Sequence, residues 1–189
     1  MADETPGEPT RRDFLYVATG TAAAVGGAVA AWPLIDQANP GSAVEAAASL
    51  EIDVSAIPPG QQVVFRWRGR PLFVRRRTAK EIAAARLVPL ADLPDRLARN
   101  ANLSPSAEAT DANRAVKPEW LVVVGVCTHL GCTPAASTAN APQGAYGGWL
   151  CHCHGSDYDT TGRVRTGPAP QNLGIPPYAF TGPTTIKIG

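Results

Sequence analysis

Apolar positions fall into two regimes along the chain. The first is one run, Phe14 to Ile35 (FLYVATGTAAAVGGAVAAWPLI), 22 residues without a charge. That length crosses a bilayer as a helix, so the run predicts one N-terminal transmembrane α-helix over residues 14–35. Ala22, Gly26 and Ala30 recur every fourth position within it, a stripe of small residues that suits close packing against a partner helix. The second regime begins near Glu51, where short alternations bounded by turn residues take over. LEIDVSAI alternates and PPGQ turns; VVFRWR and PLFVRR, joined by GR, predict a hairpin. TAKE (Thr78 to Glu81) is a capping box opening a short Ala-rich helix. WLVVVGV (Trp120 to Val126) reads as a buried strand, GGWL as another, DYDTTGRVR as a hairpin and TTIKI as the last strand. Leu87 to Pro118 follows neither period and is expected to be a polar excursion on the surface.

The fold expected is therefore mostly β, an antiparallel domain with one N-terminal transmembrane helix. Its divisions are a polar tail (1–13), the helix (14–35), a flexible hinge (36–50, DQANPGSAVEAAASL) and a head (51–189) whose chemistry lies in 120–170. A buried core helix is a poorer account of the apolar run, given the acidic run before it and the linker after it. A cleaved signal would need Ala46 to Ala48 as its cut site, more than ten residues past the run, farther than cleavage usually occurs.

Charge orients the helix. After Arg11 and Arg12 the next Lys or Arg is Arg66, so the positive-inside rule puts the N-terminus in the cytoplasm and the head across the membrane. In TRRDFLY, Arg11 and Arg12 followed by Phe14 and Leu15 resemble a twin-arginine export signal, with Tyr16 where Lys is often found. A net charge of +1 gives no field that would attract nucleic acid. With 18 Gly and 18 Pro, short strands and turns are favoured over a helical bundle.

Every cysteine and histidine lies in two boxes, CTHLGC (Cys127, His129, Cys132) and CHCHGS (Cys151, His152, Cys153, His154). Structural zinc takes four ligands in a closed tetrahedron, often from C-x-x-C knuckles. Neither box has that spacing, and zinc would leave ligands over. The residues favour one Cys and one His from each box. On an extended strand Cys151 and Cys153 would share a face, with His152 and His154 on the other. Only a loop lets Cys151 and His154 converge, and spacing alone leaves the choice of ligands open.

These boxes, CTHLGC and CHCHGSDYD, with GPAP (Gly167, Pro168, Ala169, Pro170) after them, resemble the Rieske iron–sulfur proteins. That family resemblance implies a [2Fe-2S] cluster with two His replacing two Cys on one iron. Carried over by position, Cys127 and Cys151 hold one iron, His129 and His154 the other, and Cys132 and Cys153 form a disulfide. Ser156 and Tyr158 match positions that donate hydrogen bonds toward the cluster sulfurs, and residues 167–170 match a loop that covers the cluster. His152, where many relatives have Pro, is left without a role. Two thiolates and two neutral imidazoles leave the oxidised cluster uncharged, whereas four thiolates make it a dianion, so electron uptake is easier and the potential higher.

Four groups share such boxes: subunits of cytochrome bc-type quinol:cytochrome c oxidoreductases, Rieske ferredoxins, ring-hydroxylating oxygenases and small subunits of arsenite oxidases. The apolar run and the Cys132/Cys153 pair speak against ferredoxins and oxygenases, and the chain is too short for an oxygenase catalytic domain. GRPLFVRRRTAKEI (Gly69 to Ile82) and KPEWLVVVGVCTHLGC (Lys117 to Cys132) are similar to the first group, in its proteobacterial form, with arsenite oxidase the alternative. The resemblance implies ubiquinol as substrate, cytochrome b and a c-type cytochrome as partners in a dimeric complex, and a bacterial inner membrane with the head in the periplasm. It also implies that His154 hydrogen-bonds the quinol and takes its proton. Export of a folded, cluster-loaded head fits Arg11 and Arg12.

Overall fold

The computed structural model describes residues 10–39, 41 and 48–189. It divides into two units, Met1–Glu45 and Ala46–Gly189. The described part of the first is helix α1, Arg11–Asp36, long and apolar enough to cross a membrane by length and composition. It starts earlier than the apolar run because Thr10 and Asp13 form a capping box, side chain to backbone in both directions. Arg11 and Arg12 thus stand in its first turn. Most of the tail (1–9) and the hinge positions 40 and 42–47 lie outside the described residues.

Among its described residues the second unit holds ten strands in three antiparallel sheets. Strands β1 (Leu50–Asp53), β10 (Thr185–Ile188) and β9 (Tyr178–Phe180) form one sheet, in that order. Strands β2 (Gln62–Trp67), β3 (Arg70–Arg76) and β4 (Trp120–Val124) form the second. Strands β5 (Ala135–Ala136), β6 (Gly147–Cys151), β7 (Ser156–Asp159) and β8 (Val164–Thr166) form the third. The mostly antiparallel β fold expected from the alternations is the fold found. Leu72, Phe73, Val74, Leu121, Val122 and Val123 are buried, making β3 and β4 the central strands of the core. Phe73 stacks on Trp149 at 6.0 Å, joining the second sheet to the third.

The capping box at Thr78 and Glu81 opens helix α2, Ala79–Arg86, as expected. The first hairpin differs by one residue. Its two-residue turn is Arg68-Gly69, with φ of 48° and 75°, and Arg70 already pairs with Trp67. Two positive φ values make this the tight hairpin turn whose twist matches the strands.

Residues 87–118 differ more. They carry a 3-10 turn (Leu90–Asp92) and a short helix α3 (Asp111–Arg114); about half of the segment, 101–106 included, is exposed as expected, but Leu93, Asp95, Asn100, Asp111 and Arg114 are buried. Arg114 is fully buried and donates to the carbonyls of Ala98, Thr161, Gly162 and Leu173. Burial pushes its pKa down to about 10, which still leaves it charged at neutral pH. Buried Arg77 pairs with buried Asp111 at 2.5 Å, and the Asp95 carboxylate accepts from Arg99 and the Asn172 N–H. The segment is polar because its polar groups satisfy one another inside the fold, the condition under which charges are buried.

Candidate metal centre

Strand β4 delivers the first box, and the β6–β7 hairpin forms the second. Each closes locally in the same way. The Gly131 N–H donates to the Cys127 carbonyl at 3.0 Å, and the Gly155 N–H to the Cys151 carbonyl at 2.9 Å. Both glycines have positive φ, 86° and 76°, where a side chain would be strained. Cys151 and Ser156 pair across the second loop, so residues 152–155 turn at its tip. Strand alternation is suspended there, which is what lets Cys151 and His154 approach.

Cys132 and Cys153 are joined by a disulfide that staples one loop to the other. Cys127 and Cys151 remain free thiols, both buried. The sulfurs of Cys132, Cys151 and Cys153 lie within 4.8 Å of one another, but two of them are already bonded, so only Cys151 of the three offers a thiolate. The His129 and His154 rings meet edge to face at 4.6 Å between centroids. His129 Nδ1 is buried without a partner, whereas His154 is exposed. His152 is exposed on the same tip, its Nε2 2.9 Å from Gln143 Oε1.

The surroundings of Cys127 favour a thiolate. Burial raises its pKa, but hydrogen bonds from the Tyr158 hydroxyl, the His129 backbone N–H, Cys151 and the Ser156 hydroxyl outweigh that, and the thiol ends below its ordinary value. Burial and the contact with Cys127 push the Cys151 thiol up. The Tyr158 hydroxyl stands 3.3 Å from Cys127 Sγ. Burial also raises the Tyr158 phenol, which keeps it a neutral donor.

Residues 167–170 form the third wall. The Ala169 N–H donates to Ser156 Oγ at 3.1 Å. Gly167 has a φ of 94°, and a Cβ there would stand 2.5 Å from Ser156 Cα, so only glycine permits this approach. Thr128 is a contributor that sequence reasoning missed. Its N–H reaches the Tyr158 hydroxyl at 3.3 Å and its Oγ1 donates to the Gln171 carbonyl at 2.6 Å, tying the first box to the segment after the third wall. Its only local signal was its place inside CTHLGC.

This donor set fits a [2Fe-2S] group. The two boxes carry two unbonded buried sulfurs and two adjacent imidazoles, one imidazole nitrogen is an orphan that a metal would satisfy, and hydroxyl donors already point at sulfur. A closed zinc site would require neither the donors nor an exposed histidine. Fold and donors define a Rieske-type iron–sulfur domain, and the family described as "Rieske [2Fe-2S] domain" matches residues 99–179. A second family, "Ubiquitinol-cytochrome C reductase Fe-S subunit TAT signal", matches residues 1–41.

Among curated relatives, the ubiquinol-cytochrome c reductase iron-sulfur subunit of Rhodospirillum rubrum is 52% identical over 98% of this chain and 95% of its own length. The same subunit of Cereibacter sphaeroides is 52% identical over 95% of each chain. That of Blastochloris viridis is 48% identical over 100% of this chain and 98% of its own. A chain of the solved structure "Hyperthermophilic respiratory Complex III" aligns with 27% identity and a TM-score of 0.49, covering 90% of this chain and 98% of that one. The chain belongs to the ubiquinol–cytochrome c reductase iron–sulfur subunits, whose Rieske domain carries a [2Fe-2S] cluster.

Proposed function

We propose that this chain takes one electron from ubiquinol at a site built largely by cytochrome b, with the proton received at His154, and hands the electron to a c-type cytochrome. One observation carries this reading. The His129 ring, its buried Nδ1 without a partner, lies against the exposed His154 ring, on loops that also hold two free buried thiols. In this reading Cys127 and Cys151 bind one iron, and His129 and His154 the other. When bound, the cluster supplies a one-electron acceptor with a potential of roughly −150 to +300 mV.

The residues then divide the work. Tyr158 and Ser156 donate toward Cys127 and so stabilise negative charge on its sulfur. The Cys132–Cys153 disulfide holds the two loops in register. Gly167 to Pro170, pinned through Ala169 to Ser156, keeps water from one side. His154, on the exposed tip, presents a ring to solvent that can hydrogen-bond a quinol hydroxyl and hold its proton. α1 anchors the chain in the inner membrane, N-terminus in the cytoplasm and head in the periplasm, inside a dimeric complex. The near full-length match to these subunits disfavours the small subunit of an arsenite oxidase.

A redox titration of membranes followed by electron paramagnetic resonance tests the proposal. A rhombic signal with a high, pH-dependent midpoint that responds to quinol-site inhibitors is expected. A midpoint near that of plant-type ferredoxins, about −400 mV, or tight co-purification with a molybdenum subunit, would overturn it.

A further inference from the structure

The β2–β3 hairpin ends in three exposed arginines, Arg66 on β2, Arg68 in the turn and Arg70 on β3. The ion pairs among the described residues use other arginines. Arg68 is kept at a φ of 48°, in a turn that favours Asn or Gly. Non-glycine residues held in such conformations cluster at functional sites. Its guanidinium lies 4.6 Å over the Trp67 ring. Val63 and Val64 beside the tip are exposed, and a concavity of about 310 Å³ next to it is lined by Val64, Phe65, Arg66, Gly69, Pro71 and Thr133. Thr133 directly follows disulfide-bonded Cys132.

The chain also ties this tip to the anchor. Trp67 Nε1 donates to the Ala48 carbonyl at 2.8 Å, and Ala48 follows Asp36, the last residue of α1, by twelve residues. Twelve residues reach at most about 43 Å when extended.

We propose that Arg66, Arg68 and Arg70, flanked by Val63, Val64 and Trp67, form a membrane-contact surface for the phosphate headgroups of anionic phospholipid. The exposed Val63 and Val64 beside the arginines favour lipid over an acidic protein, since a bilayer surface offers phosphate and hydrocarbon together. The arginines sit at a narrow tip that can enter a headgroup layer, and the exposed Val63 and Val64 beside them suit that interface. Each arginine near an anionic surface favours contact by roughly fivefold, and salt screens the effect. Because the tip adjoins the first Cys/His box, contact biases the head toward the side where a quinol dissolves. The inference rests on the membrane-anchored reading and does not depend on the cluster's ligands or potential.

The test is hydrogen exchange of the backbone amides from Val64 to Arg70 in the intact complex. The complex is reconstituted in discs of zwitterionic lipid and in discs rich in anionic phospholipid. Exchange several-fold slower in the anionic discs is expected, reversed at high salt and lost in Arg66→Gln/Arg68→Gln/Arg70→Gln. The variant's paramagnetic signal checks that it has folded. Should the triple variant fail to assemble, Arg68→Gly, which suits the turn, is expected to lose about fivefold of the protection. Equal protection in both lipids would assign the tip to an acidic neighbouring subunit, and no protection in either would leave it without a partner; both results overturn the proposal. Quinol-dependent turnover in the same discs is a separate readout. Its absence alongside lipid-dependent protection would count against the electron-transfer reading alone.

Discussion

Tyr158→Phe removes one of the two hydroxyls, with that of Ser156, that donate to the proposed ligand Cys127. Tyr158 is fully buried, so no water replaces the lost group. Its hydroxyl donates to Cys127 Sγ at 3.3 Å and accepts from the Thr128 N–H at 3.3 Å. A hydrogen bond to a charged acceptor contributes about 1.5–3 kcal/mol. Only the part that strengthens on reduction changes the potential, because the bond exists in both redox states. Taking half, about 0.75–1.5 kcal/mol, and 59 mV per factor of ten for one electron, the midpoint should fall by roughly 30–65 mV. The orphaned Thr128 N–H should also cost about 1 kcal/mol of stability. A redox titration read by paramagnetic resonance measures the first effect, and denaturant unfolding the second. An unchanged midpoint in a variant that keeps its signal would refute the reasoning, and with it the role given to the hydroxyl.

Arg114→Met removes the donors of four carbonyls inside the fold and should destabilise the head by about 3–5 kcal/mol, read as an earlier denaturant midpoint. Asp157→Asn should raise stability at neutral pH. Burial holds this carboxyl above its ordinary value and leaves Oδ1 unpaired. The folded state therefore binds its proton more tightly than the unfolded one, and stability falls as pH rises from about 3.9 through the raised folded pKa. The gain in the Asn variant should vanish below pH about 4, and a pH-independent gain would count against the assignment. Gly167→Ala should push the third wall away from Ser156 at a cost of about 1–3 kcal/mol, seen as faster exchange of the Ala169 amide and a less stable cluster signal. Arg11→Lys with Arg12→Lys should strand the head in the cytoplasm, and normal protease access to it from the periplasm would contradict the export reading.

Residues whose meaning is local could be read before the structure was known. Phe14 to Ile35 announced a helix long and apolar enough to cross a membrane, and Thr78 with Glu81 announced α2 by a spacing that closes on itself. Even here a local rule went unused, since Thr10 and Asp13 start α1 three residues ahead of the apolar run. The alternations also foretold antiparallel sheets, because a period of two survives whatever the strands pair with. Arg114 was not legible. Its partners Thr161 and Leu173 lie 47 and 59 residues away, and nothing near Asp111 to Arg114 says that four carbonyls await a guanidinium. A polar stretch without period reads as surface whether its groups meet water or each other, so the buried part of residues 87–118 was missed for a physical reason.

The metal boxes lie between these cases. Spacing narrowed the donors to a cysteine and a histidine from each box but could not pair Cys132 with Cys153; resemblance did that. A local signal was nevertheless present in both boxes. Each has a glycine four residues after its first cysteine, Gly131 after Cys127 and Gly155 after Cys151, and each glycine closes a turn onto that cysteine's carbonyl. Such a turn cancels strand alternation between the two residues. The histidine within it then no longer has to face away from the cysteine. Read that way, Cys-x-x-x-Gly argues for convergence of Cys151 with His154 from backbone chemistry alone; Cys127 and His129, two apart, share a face on a strand without it. The roles of Thr128 and Gln171, 43 residues apart, still needed the third wall folded over them.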